Sequence, residues 1–225
     1  MDHGAADGGW LRPAVFGVSD GLVSNLALVL GVAAGQGGGD IVLLAGVSGL
    51  LAGACSMAAG EWISVQAERE RLERELAMEA EHIREFPEEE AEHMRQLLTQ
   101  AGLPGDVVGG LVEELARRPA VNLGFHARVE LGIDPDALDS PWTAAVASFV
   151  SFVAGAAVPL LPWMLTSGST AWAASCTGGG LGLFVVGAAL SRFTGRHWAW
   201  SGTRQLLVGA AAAGVTTGIG ALIGG

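Results

Sequence analysis

Lysine is absent from this chain, so all twelve basic residues are arginines, set against 23 acidic ones. A net charge of -11 argues against nucleic acid as a partner, because phosphate binding needs a basic surface. Cysteine is scarce: Cys55 and Cys176 stand far apart, each in an apolar run and without C-x-x-C spacing, and read as small packing residues. The opening MDHGAADGGWLRP lacks the basic stretch of a cleaved signal peptide, so the first hydrophobic run is expected to persist as a helix. The 35 glycines follow no collagen period, and no internal repeat marks an inverted-repeat transporter.

What is present is apolar. Half of the residues are hydrophobic, which points to a membrane class. Five runs are long enough to cross a hydrocarbon core of about 30 Å: 13–35, 41–66, 142–166, 172–190, and 205 to the C-terminus. Neither Gly nor Pro interrupts the chain between Gly60 and Pro87, so the second run is predicted to continue as one helix of roughly 45 residues. Pro87 suits the first turn of a new helix ending near 101, and two short helices are predicted over 105–117 and 119–131. Pro159 and Pro162 are expected to kink the third run. The reading is an all-α membrane protein of five transmembrane helices, with a cytoplasmic helical metal-binding domain inserted between helices 2 and 3. Its divisions are 1–66, 67–139 and 140–225. Arg12, the eight arginines of the polar segment, and Arg192, Arg196 and Arg204 all fall on one side of such a topology, which predicts a cytoplasmic N-terminus and insert. Glycine pairs at four-residue spacing (17/21, 31/35, 49/53, 178/182, 214/218) suit close helix packing and a homodimer.

Two constellations could carry chemistry. Asp20 is an ionisable group inside the first span, costing about 3 kcal/mol at mid-bilayer unless paired or hydrated. Met57 and Glu61 share a face of the second helix, at depths that let them meet Asp20. Carboxylates with one thioether suit a divalent transition metal. Glu68 to His93 packs eleven glutamates and two histidines into 26 residues. Within it, Glu79 with His82 and Glu90 with His93 form two Glu-x-x-His pairs, and His126 with Glu130 adds an i, i+4 pair. Such pairs build metal sites in helical bundles, and carboxylate with imidazole accepts Fe2+ or Mn2+. Singly, each residue also fits a solvated, salt-bridged helix face.

SDGLVSNLALVLGV in the first run, LAGACSMAAGEWISV in the second, PEEEAEH in the insert and FHARVELG before the third resemble the vacuolar iron transporter family, in its bacterial and nodulin-like branch. The likeness covers nearly the whole chain. It implies a homodimeric pore and export of Fe2+, often Mn2+, from the cytosol in exchange for protons. By motif, Asp20 and Met57 match the family's pore residues. Glu79, His82, Glu90, His93, His126 and Glu130 fall where better-known members carry metal-binding glutamates and methionines. The chain departs from that pattern in its histidines and at Gly49, where some eukaryotic members have a second pore carboxylate; Glu61 is a candidate substitute.

The expected function is therefore that of a metal transporter, not an enzyme, with Fe2+ or Mn2+ as cargo and no resident cofactor. The expected partners are protons, the bilayer and a second copy of the chain. An Ala/Gly/Arg-rich, lysine-free composition leans towards a bacterial inner membrane. The alternative is a membrane-anchored iron store or sensor, with ferroxidase chemistry resting on the Glu-x-x-His pairs.

Overall fold

The computed structural model describes residues 9–224. They form α1 (Leu11–Ala34), α2 (Gly39–Glu85), α3 (Pro87–Gln100), α4 (Gly105–Ala116), α5 (Pro119–His126), a π-helical turn (Ala127–Leu131), α6 (Pro141–Leu165), α7 (Gly168–Thr194) and α8 (Trp198–Gly224). Among the described residues there is no strand. Five of the helices, α1, α2, α6, α7 and α8, are long and apolar enough to cross a membrane. The chain is an integral membrane protein.

The residues divide into two compact units, one of 1–64 with 140–225 and one of 65–139. In the first, α1 is the axis. Its Leu22, Leu26, Val29 and Leu30 form a core with Val42, Leu160, Trp163, Ala171, Leu183 and Ala213, drawn from all four other helices. Lipid tails are as apolar as leucine, so close approach of backbones has to supply the packing energy. At the α1–α6 crossing a side chain on Gly21 would collide with the Phe152 carbonyl, and one on Gly155 with the Val18 carbonyl. Gly155→Leu is expected to cost about 3 kcal/mol by overpacking, seen as a lower melting temperature in detergent.

Polar side chains tie the same helices. Asn25 Nδ2 donates to the Ala156 carbonyl (2.7 Å), Ser175 Oγ to that of Pro159 (2.7 Å), and Thr216 Oγ1 to that of Ala27 (2.8 Å). Both Pro159 and Pro162 lie within α6. Of the five four-spaced glycine pairs, Gly214 and Gly218 are the one at which an added Cβ would meet nothing within 4 Å at either position among the described residues.

The helix boundaries differ from expectation mainly at α7 and α8. The expected fourth run, 172–190, is the middle of the longer helix Gly168–Thr194. The fifth begins at Trp198, not 205, because the break is made by Gly195 in the left-handed region (φ 64°) and nothing after it stops helix growth.

The second unit takes the polar end of α2 with α3, α4 and α5. The 47-residue α2 stays helical through its charged stretch, where Arg69–Glu73 (2.8 Å), Arg71–Glu68 (2.8 Å) and Arg71–Glu75 pair along exposed faces. Each such pair contributes a few tenths of a kcal/mol. Phe86 leaves helical geometry and Pro87 opens α3, since proline has no N–H to lose at a first turn. Met94, Leu98, Val108 and Val112 form a small core under Leu103 and Phe125. The expected helix 119–131 stops at His126 and continues as the π-helical turn, closed by Gly132 at φ 66°.

Candidate metal centre

Four elements of the second unit supply the site. Glu79 is on α2, Glu90 in the first turn of α3, His126 at the end of α5, and Glu130 on the π-helical turn. One ligand atom from each lies within 4.8 Å of all the others. His126 is the hub: its Nδ1 is 2.9 Å from Glu79 Oε1, 3.5 Å from Glu130 Oε2 and 3.9 Å from Glu90 Oε2. His126 is 2% exposed and Glu79 8%, so neither is a solvated surface group.

The chemistry of this set is lopsided. Three carboxylates converge with one imidazole, and a proton on Nδ1 can serve only one of the oxygens facing it. Glu79 Oε1, Glu90 Oε2 and His126 Nδ1 are all buried without a hydrogen-bond partner. A buried cluster of acceptors is costly unless a cation completes it. Burial pushes the Glu79 carboxyl above its ordinary range; the charges of Glu130 and Glu90 push the same way, and His126 opposes them. Oxygen and imidazole nitrogen together suit Fe2+ or Mn2+ and exclude the all-oxygen preference of Ca2+. Glu90 and His126 also line an open-sided cavity of about 590 Å3, walled by Ile83, Met94, Leu115 and Leu123.

The sequence-derived ligands are not all brought together. His82 and His93 stand outside the four-residue cluster, 65% and 46% exposed. Each faces the outer oxygen of a cluster carboxylate: His82 Nδ1 is 3.6 Å from Glu90 Oε1, and His93 Nδ1 is 3.7 Å from Glu130 Oε1. In the membrane unit, Asp20 is exposed on α1, well past the helix start. Met57 packs against Ala54, Phe152 and Ala156, and Glu61 is half-buried. No group of three or more His, Cys, Asp or Glu ligands gathers around Asp20 or Glu61 among the described residues.

Asn25 went unnoticed in the sequence. It is 2% exposed, and its Oδ1 is buried without a partner. The available signal was an amide inside an apolar run, SNLALVLGV.

The model of the VIT family matches residues 11–221. The chain belongs to the VIT family. It is 35% identical over 216 residues to vacuolar iron transporter 1 of Oryza sativa subsp. japonica, covering 93% of this chain and 83% of the relative. It is also 35% identical to vacuolar iron transporter 1 of Arabidopsis thaliana, over 90% of this chain and 81% of the relative. To vacuolar iron transporter homolog 1 of Oryza sativa subsp. japonica it is 36% identical, covering 96% and 74%. The VIT match reaches into every helix described here, the polar unit as well as the membrane helices.

Proposed function

We propose that the chain exports Fe2+ or Mn2+ from the cytosol in exchange for protons. The unit of residues 65–139 collects the ion on the cytosolic side, and Asp20 with Met57 binds it in the membrane path of a homodimer. The observation that carries this reading is the convergence of buried Glu79 and His126 with half-buried Glu90 and rim Glu130, in a chain with five helices long and apolar enough to cross a membrane. Family membership supports it, since the relatives named above are called iron transporters. Asp20 supports it too, because a helix that served only as an anchor gains nothing from a carboxylate in an apolar span. The arginine distribution supports the cytosolic placement of the N-terminus and the polar unit. Half-buried Glu61 is the second acid near that end of α2, a candidate to carry the exchanged proton. The reaction is transport and leaves its cargo chemically unchanged.

The test uses purified protein in proteoliposomes with a metal-sensitive dye inside and a pH gradient imposed. Fe2+ and Mn2+ are expected to move, faster when the gradient supplies counter-flowing protons. Protein that binds these ions without moving them is a store or sensor, and the transport reading then fails.

A further inference from the structure

After Asp139 the chain contains no Asp or Glu, yet it carries Arg192, Arg196 and Arg204 with His197. All four are exposed and cluster at one turn: Arg192 in the last turn of α7, Arg196 and His197 between the helices, and Arg204 in the second turn of α8. No carboxylate of the described residues pairs with them, whereas seven of the eight arginines in 65–139 are ion-paired. An acidic protein thus gathers three guanidinium groups at one place, without a counter-ion among the described residues.

The aromatic residues fix where that place is. Trp198 and Trp200 are 56% and 61% exposed, and Phe193 64%. Trp198 stacks on His197 (centroids 5.7 Å, 29°) and meets Phe184 edge-on at 6.0 Å. Exposed tryptophans at the end of a membrane-crossing helix sit at headgroup level, with the ring in the apolar boundary and the N–H in water. There, guanidinium groups meet phosphates, which they bind as planar two-donor forks.

We propose that the α7–α8 turn is a binding surface for anionic phospholipid, with Arg192, Arg196 and Arg204 holding the headgroup phosphate and Trp198 and Trp200 seating the lipid's glycerol region. A zwitterionic headgroup brings its own ammonium and leaves the arginine charge unanswered; an anionic one neutralises it. The proposal stands apart from the metal reading and survives its failure.

The full chain is placed in nanodiscs of phosphatidylcholine with or without phosphatidylglycerol, and retained lipid is counted by native mass spectrometry. Phosphatidylglycerol is expected to be retained preferentially, by about fivefold for each arginine, from the value of one basic residue at an anionic surface. The triple variant Arg192→Gln, Arg196→Gln, Arg204→Gln should lose that preference, and Arg69→Gln with Arg117→Gln should keep it. If the triple variant does not fold, Arg196→Gln carries the test, because Arg196 lies outside both helices. Equal retention of the two lipids, or a preference that survives the substitutions, overturns the proposal. So does soluble glycerol 3-phosphate that displaces the lipid at equal concentration. If the arginine variants instead loosen amide exchange in 65–139 in pure phosphatidylcholine, the cations serve the chain's own acidic segment and the lipid assignment falls.

Discussion

Asp20→Ala is expected to reduce Fe2+ flux in proteoliposomes to the level of protein-free vesicles, while metal binding by the 65–139 unit stays unchanged. Asp20 lies inside the apolar α1, where an uncompensated carboxylate costs about 3 kcal/mol. It is exposed, and no ion pair within the described residues neutralises it, so packing gives no reason for its presence. Ser24 Oγ donates to the Asp20 backbone carbonyl (2.6 Å), not to its carboxylate. A residue costly to the fold and useful to a cation has a double signature: the Ala variant should be inactive and also melt higher than the parent in the absence of metal. A structural role predicts the reverse change in melting. Flux by Asp20→Ala at the parental rate would remove Asp20 from the path.

Glu79→Gln should weaken Fe2+ and Mn2+ binding by at least about a hundredfold, beyond the typical effect of losing a partner behind a metal ligand. It should also make the empty unit more stable at neutral pH. Glu79 titrates above the ordinary glutamate value of 4.5, chiefly through burial. A carboxyl with a raised folded-state pKa adds stability that is fully present below 4.5 and disappears as pH rises through the raised value. At neutral pH the ionised, metal-free cluster is therefore a source of strain, and the neutral amide relieves it. Amide hydrogen exchange across 87–131 measures both arms. Without metal, the Gln variant should exchange more slowly than the parent at pH 7, and the two should converge near pH 4. With metal, only the parent should gain protection, because the ion replaces the missing positive charge. Faster exchange in the metal-free variant at pH 7 would mean that the Glu79–His126 contact is a simple stabilising ion pair.

Much of this architecture is legible in the sequence because its signals are local. The run without Gly or Pro up to Pro87 announces α2 at nearly its observed length, and five apolar segments announce the membrane helices. The metal centre is legible only as a set of candidates. Glu79 and His82 are three residues apart, close enough on the helix to look like one face. Contact with side chains from α3 and α5 then decides which of them is enclosed, and it takes Glu79. The same contacts leave His93 at the rim and half-bury Glu90 one turn earlier. Spacing identifies a face, but the angle between helices depends on how Met94, Leu98 and Val112 pack, and no pair rule supplies that. Asn25 was missed for a similar reason, since its importance lies in the Ala156 carbonyl, 131 positions away.

The π-helical turn from Ala127 to Leu131 has an evolutionary reading. A π turn is an α-helix that has accepted an extra residue, and such insertions persist at functional sites despite their cost. Here the wider winding follows His126 directly and carries Glu130, while the Ile133 N–H reaches back to the Ala127 carbonyl at 2.8 Å. Deleting one residue between 126 and 130 would return the segment to ordinary winding and swing the glutamate about 100° around the axis, out of the cluster. Substitution is therefore tolerable at exposed Val129, but a change of length is not. Variation among natural relatives in this segment should appear as exchanged residues at fixed spacing, never as a gap.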